Sequence, residues 1–232
     1  MTVQELMEGR AHPLRLVIFD CDGVIVDSEA IANRITSASL TAEGWPMTPA
    51  EAEGFFLGMT LTDMVPVIEA RIGRPLSVAW KPNLMRALVE ALSRDAVPIA
   101  GAVEAMQAAS ELGLPWRVAS NSSHEEMRAK FARLGITDLV AGRVHSHRDV
   151  ARGKPAPDLF LATALAEGVP PAGCVVIEDS VPGSRAAAAA LMDCLGYAPH
   201  GHDAPLIAEG AVPFRSMFEL PALFAVGMKA GA

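Results

Sequence analysis

Four groups of polar residues stand out because their side chains could together transfer a phosphoryl group. They are Asp20-Cys21-Asp22-Gly23, Ser120-Asn121, Gly153-Lys154-Pro155 and Glu178-Asp179. Three of the groups directly follow short apolar runs, which are typical of strands buried on both faces. In an open parallel sheet, ligands bind beyond the carboxyl ends of the strands. We therefore expect the four groups to meet at one edge of a sheet, although they are far apart in the chain.

The first three groups supply side chains that act on a phosphate. Asp20 offers a carboxylate nucleophile, which would form an aspartyl-phosphate and divide one difficult step into two. Asp22 is placed to protonate the leaving oxygen and then to activate water, as a general acid and base. Ser120 and Asn121 offer polar groups to the phosphate oxygens, and Lys154 offers a compact positive charge to the transferring group.

The acidic residues indicate a bound cation. Asp179, with Glu178 beside it, is expected to lie near Asp20 at the same edge of the sheet. Carboxylates that share one site cannot all stay ionised without a cation. An all-oxygen site next to a phosphate favours Mg²⁺. The sequence therefore predicts a magnesium site.

Taken one at a time, these motifs also have ordinary structural interpretations. A DxDG segment alone is a strand followed by an Asx turn, Gly-Lys-Pro is a loop, and Glu-Asp-Ser is a helix cap. All four occur in order, each at the end of the proper element, and this combination favours the functional interpretation. Cys21 is expected to point away from the two aspartates by strand alternation and to be a buried thiol.

The elements between the motifs predict an α/β fold with a doubly wound parallel sheet and a Rossmann-like core. Apolar runs lie at residues 14–19, 116–120 and 174–177, with weaker ones at 142–146 and 194–198. Between them are helical patterns that stop at a glycine, the usual C-terminal stop. Alternating strands and helices require crossover connections, and these produce a parallel sheet.

One stretch breaks this alternation. Residues 28–97 have the pattern of consecutive helices without a convincing strand. Thr48-Pro49-Ala50-Glu51 is a capping box with proline at the first helical position, a strong helix-start signal. We predict a discontinuous α/β core of residues 1–28 and 98–232, with a helical cap domain of residues 29–97 inserted into it.

Composition limits the partners. The formal net charge of −8 argues against nucleic acid, which rewards clustered lysine and arginine. The three cysteines have no framework spacing and are expected to be free thiols in a reducing compartment. No signal peptide and no membrane-length apolar run are found. We expect a cytoplasmic protein without a membrane partner; whether it is a monomer or a dimer stays open.

The motifs resemble those of the haloacid dehalogenase superfamily, in its phosphatase and phosphomutase branch with an inserted helical cap. The matching segments are FDCDGVIVDSE (Phe19–Glu29), SNS (Ser120–Ser122), GKPAPD (Gly153–Asp158) and IEDSVPG (Ile177–Gly183). The core resemblance covers nearly the whole chain outside the cap, and four motifs in order make it highly specific.

The resemblance implies a role for each acidic residue. Asp20 is implied as the nucleophile and Asp22 as the acid/base. Mg²⁺ is implied to be held by the Asp20 carboxylate, the Asp22 backbone carbonyl and Asp179, with Glu178 assisting. Dehalogenases of this superfamily lack the second aspartate, so Asp22 argues against cleavage of a carbon–halogen bond.

Within the branch, the chain looks like sugar-phosphate phosphatases, phosphoglycolate phosphatases and β-phosphoglucomutase. The mutase has a histidine in the first cap helix where this chain has Ala32, and a cap arginine that the loop Leu57-Gly58-Met59-Thr60-Leu61 lacks. Both departures favour water as the phosphoryl acceptor. The loop formed by Leu57, Gly58, Met59 and Thr60 is a candidate for substrate specificity. The family commonly has glycine at the position of Leu191, which we expect to pack within a core helix.

The sequence thus predicts a Mg²⁺-dependent phosphatase that hydrolyses a small phosphate monoester, a sugar phosphate or related metabolite, through an aspartyl-phosphate. The alternative enzyme is a phosphomutase of the β-phosphoglucomutase type. A third alternative, from a different class, is a catalytically silent protein that only binds phosphate. The set Asp20, Asp22, Ser120, Lys154 and Asp179 argues against it, because a sensor needs no acid/base.

Overall fold

The computed structural model describes residues 1–56, 59 and 61–230. The strands found there are β1 (Leu16–Phe19), β2 (Val26–Asp27), β3 (Val97–Pro98), β4 (Trp116–Ser120), β5 (Val144–Ser146), β6 (Cys174–Glu178), β7 (Asp193–Tyr197) and β8 (Val212–Phe214). The α-helices are α1 (Val3–Glu8), α2 (Glu29–Ala42), α3 (Pro49–Phe56), α4 (Leu61–Ile72), α5 (Trp80–Asp95), α6 (Ala102–Glu111), α7 (His124–Leu134), α8 (Thr137–Val140), α9 (Asp158–Ala166), α10 (Val181–Ala189), α11 (Ala204–Ala208) and α12 (Leu220–Gly227). None of these helices combines the length and hydropathy needed to span a bilayer.

A parallel sheet forms the centre of the molecule. Within the described residues it has six strands in the order β5-β4-β1-β6-β7-β8, and every neighbouring pair is parallel. The predicted α/β class with a doubly wound parallel sheet is thus confirmed. Sequence reasoning missed β8, because Pro213 argues against a strand except at the edge of a sheet, where β8 lies.

Helices cover both faces of the sheet, so the central strands are buried on both sides. All four residues of β1 are buried. Val17 and Phe19 belong to an apolar cluster shared with α6, α7 and α12. Leu16 and Ile18 belong to a second cluster shared with α9 and α10. This two-sided burial is the reason that the strand sequences are apolar without alternation.

Helices α2 to α5 form the inserted segment, and they have an apolar core of their own. Its buried members include Leu40, Trp45, Ile68, Trp80 and Leu84. The predicted capping box before α3 is present: the Glu51 N–H donates to Thr48 Oγ1 at 3.2 Å and the Thr48 N–H donates to Glu51 Oε2 at 2.7 Å. Helix α3 therefore begins where the sequence indicated.

A two-stranded antiparallel ribbon, β2 with β3, lies where the chain enters and leaves the insert. Val26 pairs with Pro98 and Asp27 with Val97. The sequence showed no strand here, because two residues are too few to produce a pattern. The ribbon lies beside the predicted boundaries at 28/29 and 97/98. That the insert is a separate domain stays a prediction.

Leu191 contradicts one sequence-based interpretation. Helix α10 ends at Ala189, and Leu191 follows it with φ of 58° and a side chain that is 82% exposed. The expectation that Leu191 packs within a core helix is therefore wrong. The physical reason is that the chain must reverse into β7 here, and this turn uses the left-handed conformation that glycine adopts most easily.

Candidate active site

The candidate site lies at the carboxyl ends of three adjacent strands, β4, β1 and β6. Asp20 directly follows β1, Ser120 ends β4 and Glu178 ends β6. The backbone N–H of Asp20 donates to the carbonyl of Ile177 at 2.9 Å, so the pairing of β1 with β6 continues into the site. The motifs therefore lie together at one edge of the sheet, as expected from the sequence.

Lys154 joins two of the motifs through its ammonium group. Its Nζ lies 2.6 Å from Asp20 Oδ1 and 2.5 Å from Glu178 Oε1. Lys154, Asp20 and Glu178 are all buried. Burying an ammonium is costly unless charged partners surround it, as they do here. These two carboxylates raise the pKa of Lys154 despite its burial, so it stays protonated.

Asn121 holds the backbone of Lys154 from both sides. Its side-chain amide donates to the Lys154 carbonyl at 2.9 Å and accepts from the Lys154 N–H at 2.9 Å. A Cβ on Gly153 would lie 2.6 Å from Asn121 Oδ1, so this close packing requires glycine before Lys154. The Asn121 amide, which the sequence assigned to phosphate, is thus engaged with Lys154.

Asp20, Glu178 and Asp179 form an acidic cluster. Each offers a carboxylate oxygen, and these oxygens lie within 4.8 Å of one another. The Glu178 Oε2 accepts hydrogen bonds from the N–H of Asp179 at 3.2 Å and from the hydroxyl of Ser180 at 2.8 Å. Among the described residues, no donor bonds the Asp179 carboxylate. The cluster could hold a metal ion, with Asp20 and Asp179 carrying the freer oxygens.

Gly23 lets Asp179 approach the first motif. It has φ of 72°, and a Cβ at this position would lie 1.7 Å from Asp179 Oδ2. The turn also places the Gly23 N–H against the Val26 carbonyl at 2.8 Å. A side chain at residue 23 would displace Asp179 from the acidic cluster.

The electrostatics of the cluster favour a cation. Burial, together with Glu178 and Asp22, raises the pKa of Asp20 to about 7 even though Lys154 opposes the shift. Burial, Glu178 and Asp20 also raise the pKa of Asp179 well above its usual range. Such shifts mean that the carboxylates are not fully compensated by this chain's own cations. A divalent cation among them would supply the missing positive charge, so the residues fit a metal ion.

Asp22 lies in a different environment from Asp20. Its Oδ1 accepts from the Lys130 ammonium at 2.6 Å and from the Ser28 hydroxyl, and its Oδ2 accepts from the Ser122 hydroxyl at 2.7 Å. Burial by itself would raise the pKa of Asp22. The Lys130 charge and these hydrogen bonds outweigh burial and lower the pKa to about 2.

Comparison with known proteins agrees with this geometry. A family model described as haloacid dehalogenase-like hydrolase matches residues 14–190. The chain belongs to that family. The predicted branch, with phosphatase relatives and a helical insert, is confirmed, and so is the prediction that the chain is a phosphatase of this family.

Three relatives show how far the likeness extends. The chain is 27% identical to the 6-phosphogluconate phosphatase of Escherichia coli (strain K12), over 91% of this chain and 95% of the relative. It is 35% identical in sequence to a haloacid dehalogenase-like protein of unknown function from Agrobacterium tumefaciens, whose crystal structure is known. The two structures superpose with a TM-score of 0.77, and the match covers 91% of this chain and 98% of that one. It is 30% identical to a hydrolase of the same family from Deinococcus radiodurans, crystallised with phosphate and sodium, with a TM-score of 0.75 over 93% and 97%.

Sequence reasoning missed Lys130 in this haloacid dehalogenase-like hydrolase. Lys130 lies on α7 and is only 2% exposed. The signal was present, because Met127, Lys130, Phe131 and Leu134 follow the spacing of one helix face. A lysine among apolar residues on the inward face of a helix indicates a buried charge with a specific partner.

Two other predictions concern segments beside the site. The sequence Ser123-His124-Glu125-Glu126 also has the pattern of a capping box, and the structure has it: the Glu126 N–H donates to Ser123 Oγ at 3.3 Å and the Ser123 N–H donates to Glu126 Oε2 at 2.8 Å. Of the candidate specificity loop, Leu57, Gly58 and Thr60 lie outside the described residues. Met59 is described, and it packs against the core of the insert. The loop stays a prediction.

Proposed function

We propose that this haloacid dehalogenase-like phosphatase hydrolyses a small phosphate monoester, of a sugar or related metabolite, through an aspartyl-phosphate on Asp20. The observation that carries the proposal is the bridging of Asp20 and Glu178 by the Lys154 ammonium, with Asp179 in the same acidic cluster. A buried carboxylate beside a fixed cation is an oriented nucleophile for a phosphate.

In the proposed reaction, Asp20 attacks phosphorus while the bond to the leaving oxygen breaks. Lys154 stabilises charge on the transferring group, and Ser120, at the end of β4, donates to a phosphate oxygen. Asp22 is ionised in the free site, and the negative charge of a bound phosphate would raise its pKa so that it takes up a proton from solvent. Asp22 then gives this proton to the leaving oxygen, and later takes one from the water that hydrolyses the aspartyl-phosphate. Asn121 contributes by holding the Lys154 backbone.

The proposed metal ligands are the carboxylates of Asp20 and Asp179 and the backbone carbonyl of Asp22, with Glu178 assisting. A Mg²⁺ ion bound there would neutralise phosphate charge and orient the substrate. Glu178 fits an assisting role, because its two oxygens already accept from Lys154 and Ser180.

The insert is proposed as a cap domain of residues 29–97 over the core of residues 1–28 and 98–232. A cap that closes over the site would exclude water during phosphoryl transfer and select the substrate. The proposal of a sugar phosphate rests on the likeness to 6-phosphogluconate phosphatase. Ala32 packs against the core of the insert and offers no acid/base group, which supports water over a second substrate as acceptor.

The test is phosphate release from a panel that includes 6-phosphogluconate, hexose and pentose phosphates, phosphoglycolate and β-glucose 1-phosphate, with Mg²⁺ and with a chelator. We expect release from a few sugar phosphates, loss of release with the chelator, and no turnover by Asp20→Asn, which keeps the size of the side chain. Conversion of β-glucose 1-phosphate to the 6-phosphate without release would establish the mutase instead. Absence of any turnover would favour a phosphate-binding protein.

A further inference from the structure

Lys130 carries a buried positive charge that none of the four motifs accounts for. Its ammonium lies 2.6 Å from Asp22 Oδ1 and 2.8 Å from Ser122 Oγ, and its side chain is 2% exposed. The Asp22 side chain is 34% exposed, so only the lysine of this pair is buried. Burying a charge for an ion pair is weak evidence for stability, because apolar side chains of similar volume are often as stabilising or more so. Met127 and Phe131 on the same helix are such side chains. Stability therefore does not explain why a lysine occupies this position, and we look for the reason in its effect on its partner, Asp22.

The two oxygens of Asp22 face different surroundings. Oδ1 is bonded to Lys130 and to the Ser28 hydroxyl, at the residue preceding α2. Oδ2 accepts from Ser122 at 2.7 Å and lies 3.4 Å from the hydroxyl of Ser120, the proposed phosphate ligand. Oδ2 is thus the oxygen on the phosphate side. Contacts at Oδ1 decide which way Oδ2 points.

Ser122 couples Lys130 to the second oxygen as well. The Ser122 hydroxyl accepts from the Lys130 ammonium and donates its single proton to Asp22 Oδ2. Lys130 thereby acts on both oxygens, on Oδ1 directly and on Oδ2 through Ser122. Ser28 contacts only Oδ1, and Ser120 only approaches Oδ2. Of the described side chains that contact the Asp22 carboxylate, Lys130 is the one that carries a charge.

We propose that Lys130 is the positioning residue for acid/base catalysis, because it holds the Asp22 carboxylate with Oδ2 toward the leaving oxygen of the substrate. The inference rests on the proposed function, since it gives Lys130 a role in the same reaction. Lys130 itself touches no reacting atom. Its effect appears in the step that needs the Asp22 proton.

That step distinguishes a positioning role from a structural one. As Asp20 bonds to phosphorus, the bond to the leaving oxygen breaks. The proton that Asp22 took up from solvent when the phosphate bound moves to that oxygen, so an alcohol departs neutral and Asp22 is left ionised. A sugar alkoxide is a poor leaving group and depends on this proton. p-Nitrophenolate is a stable anion and departs without it. Misplacement of Asp22 therefore slows the sugar phosphate far more than p-nitrophenyl phosphate.

The experiment compares kcat/KM for p-nitrophenyl phosphate with that for the alkyl phosphate of the panel turned over fastest, beginning with 6-phosphogluconate. Lys130→Met keeps an unbranched side chain of similar length without the charge. We expect kcat/KM for the alkyl phosphate to fall about 100-fold and that for the aryl phosphate less than about tenfold. Lys130→Arg, which keeps a positive charge, is expected to restore part of the ratio between the two.

Phe131→Leu is the matched control. Phe131 is the next residue on α7, is 3% exposed and belongs to an apolar core cluster. Its replacement loosens the same helix, and both substrates should be affected alike. Where Lys130→Met does not fold, as judged by circular dichroism, Ser122→Ala removes the coupling to Oδ2 and is expected to lower the alkyl rate selectively by a smaller factor.

Two results would overturn the inference: equal losses for both substrates in Lys130→Met and Ser122→Ala, or no loss in either. These outcomes leave the proposed function intact, because wild-type turnover with Mg²⁺ tests it separately. A wild-type protein without turnover on any substrate would instead overturn the proposed function.

Discussion

At the scale of single residues, the site is a set of charges whose partners are distant in sequence. Lys154 bonds Asp20 across 134 positions and Glu178 across 24, and Lys130 bonds Asp22 across 108. The residue types of the four motifs were sufficient to predict that Asp20, Lys154 and Glu178 would meet. They were not sufficient for Lys130 or for the contact of Asn121 with Lys154, because a side chain's partner depends on how elements pack.

Asn121→Ala tests whether Asn121 acts through Lys154. The variant removes two hydrogen bonds to the Lys154 backbone, each contributing about 1 kcal/mol, so we expect the ammonium to lose its alignment and kcat to fall about tenfold. KM should change little, because the lost contact is not with the substrate. Steady-state kinetics with the sugar phosphate of the panel that is turned over fastest measure both. A rise in KM with unchanged kcat would instead assign Asn121 to direct binding of phosphate.

Gly23→Ala tests the acidic cluster as a metal site. The new Cβ would lie 1.7 Å from Asp179 Oδ2, so the carboxylate must move away. We expect the Mg²⁺ concentration for half-maximal activity to rise about tenfold or more, measured by titration of activity with Mg²⁺.

Gly113→Ala is the matched control for that variant. Gly113 also has a positive φ, 67°, but nothing lies within 4 Å of its added Cβ. It carries the same backbone strain without touching the site, so its Mg²⁺ requirement should stay at the wild-type value. Equal shifts in both variants would show that general strain, and not the displacement of Asp179, is responsible.

At the scale of elements, patterns that extend over several residues were reliable, whereas of the very short strands in the described residues only β5, within the run at 142–146, was predicted. Strand β4 and the capping boxes before α3 and α7 are where the sequence placed them. The ribbon of β2 and β3 was missed, and so was β8, since two or three residues form strands only because a partner lies beside them. The turn after α10 was also missed, because glycine is the usual sign of a left-handed turn residue and this chain has Leu191 at that position.

Leu191→Gly is expected to stabilise the protein. The left-handed conformation costs an L-residue about 1 kcal/mol, and the exposed leucine side chain offers little packing in return. Chemical denaturation should show a higher midpoint, with the free energy of unfolding raised by about 1 kcal/mol. Leu165→Gly is the control, since Leu165 is 80% exposed but lies within α9. There the same change should destabilise by about 1 kcal/mol. Destabilisation by Leu191→Gly would contradict the account.

At the scale of the whole molecule, the insert and the sheet share part of their packing, because Ile31, Ala91 and Leu92 of the insert belong to the apolar cluster on one face of the sheet. The insert has its own apolar core, and the sheet has one on each face. Ser28 precedes the first helix of the insert and bonds Asp22, so the insert begins at a contact of the proposed acid/base. This hydrogen bond links the start of the insert to the position of the Asp22 carboxylate.

The amino-acid sequence alone determined the fold class, the helical insert and the identity of the motif residues. These follow from local information, since burial on both faces makes the strands apolar and polar residues mark where the strands end. The division of labour within the site came from tertiary structure: Lys130 with Asp22, Asn121 with Lys154, and Asp179 against the backbone of Gly23. The physical reason is that electrostatic and hydrogen-bond partners are chosen by distance in space, which the packing of distant elements sets.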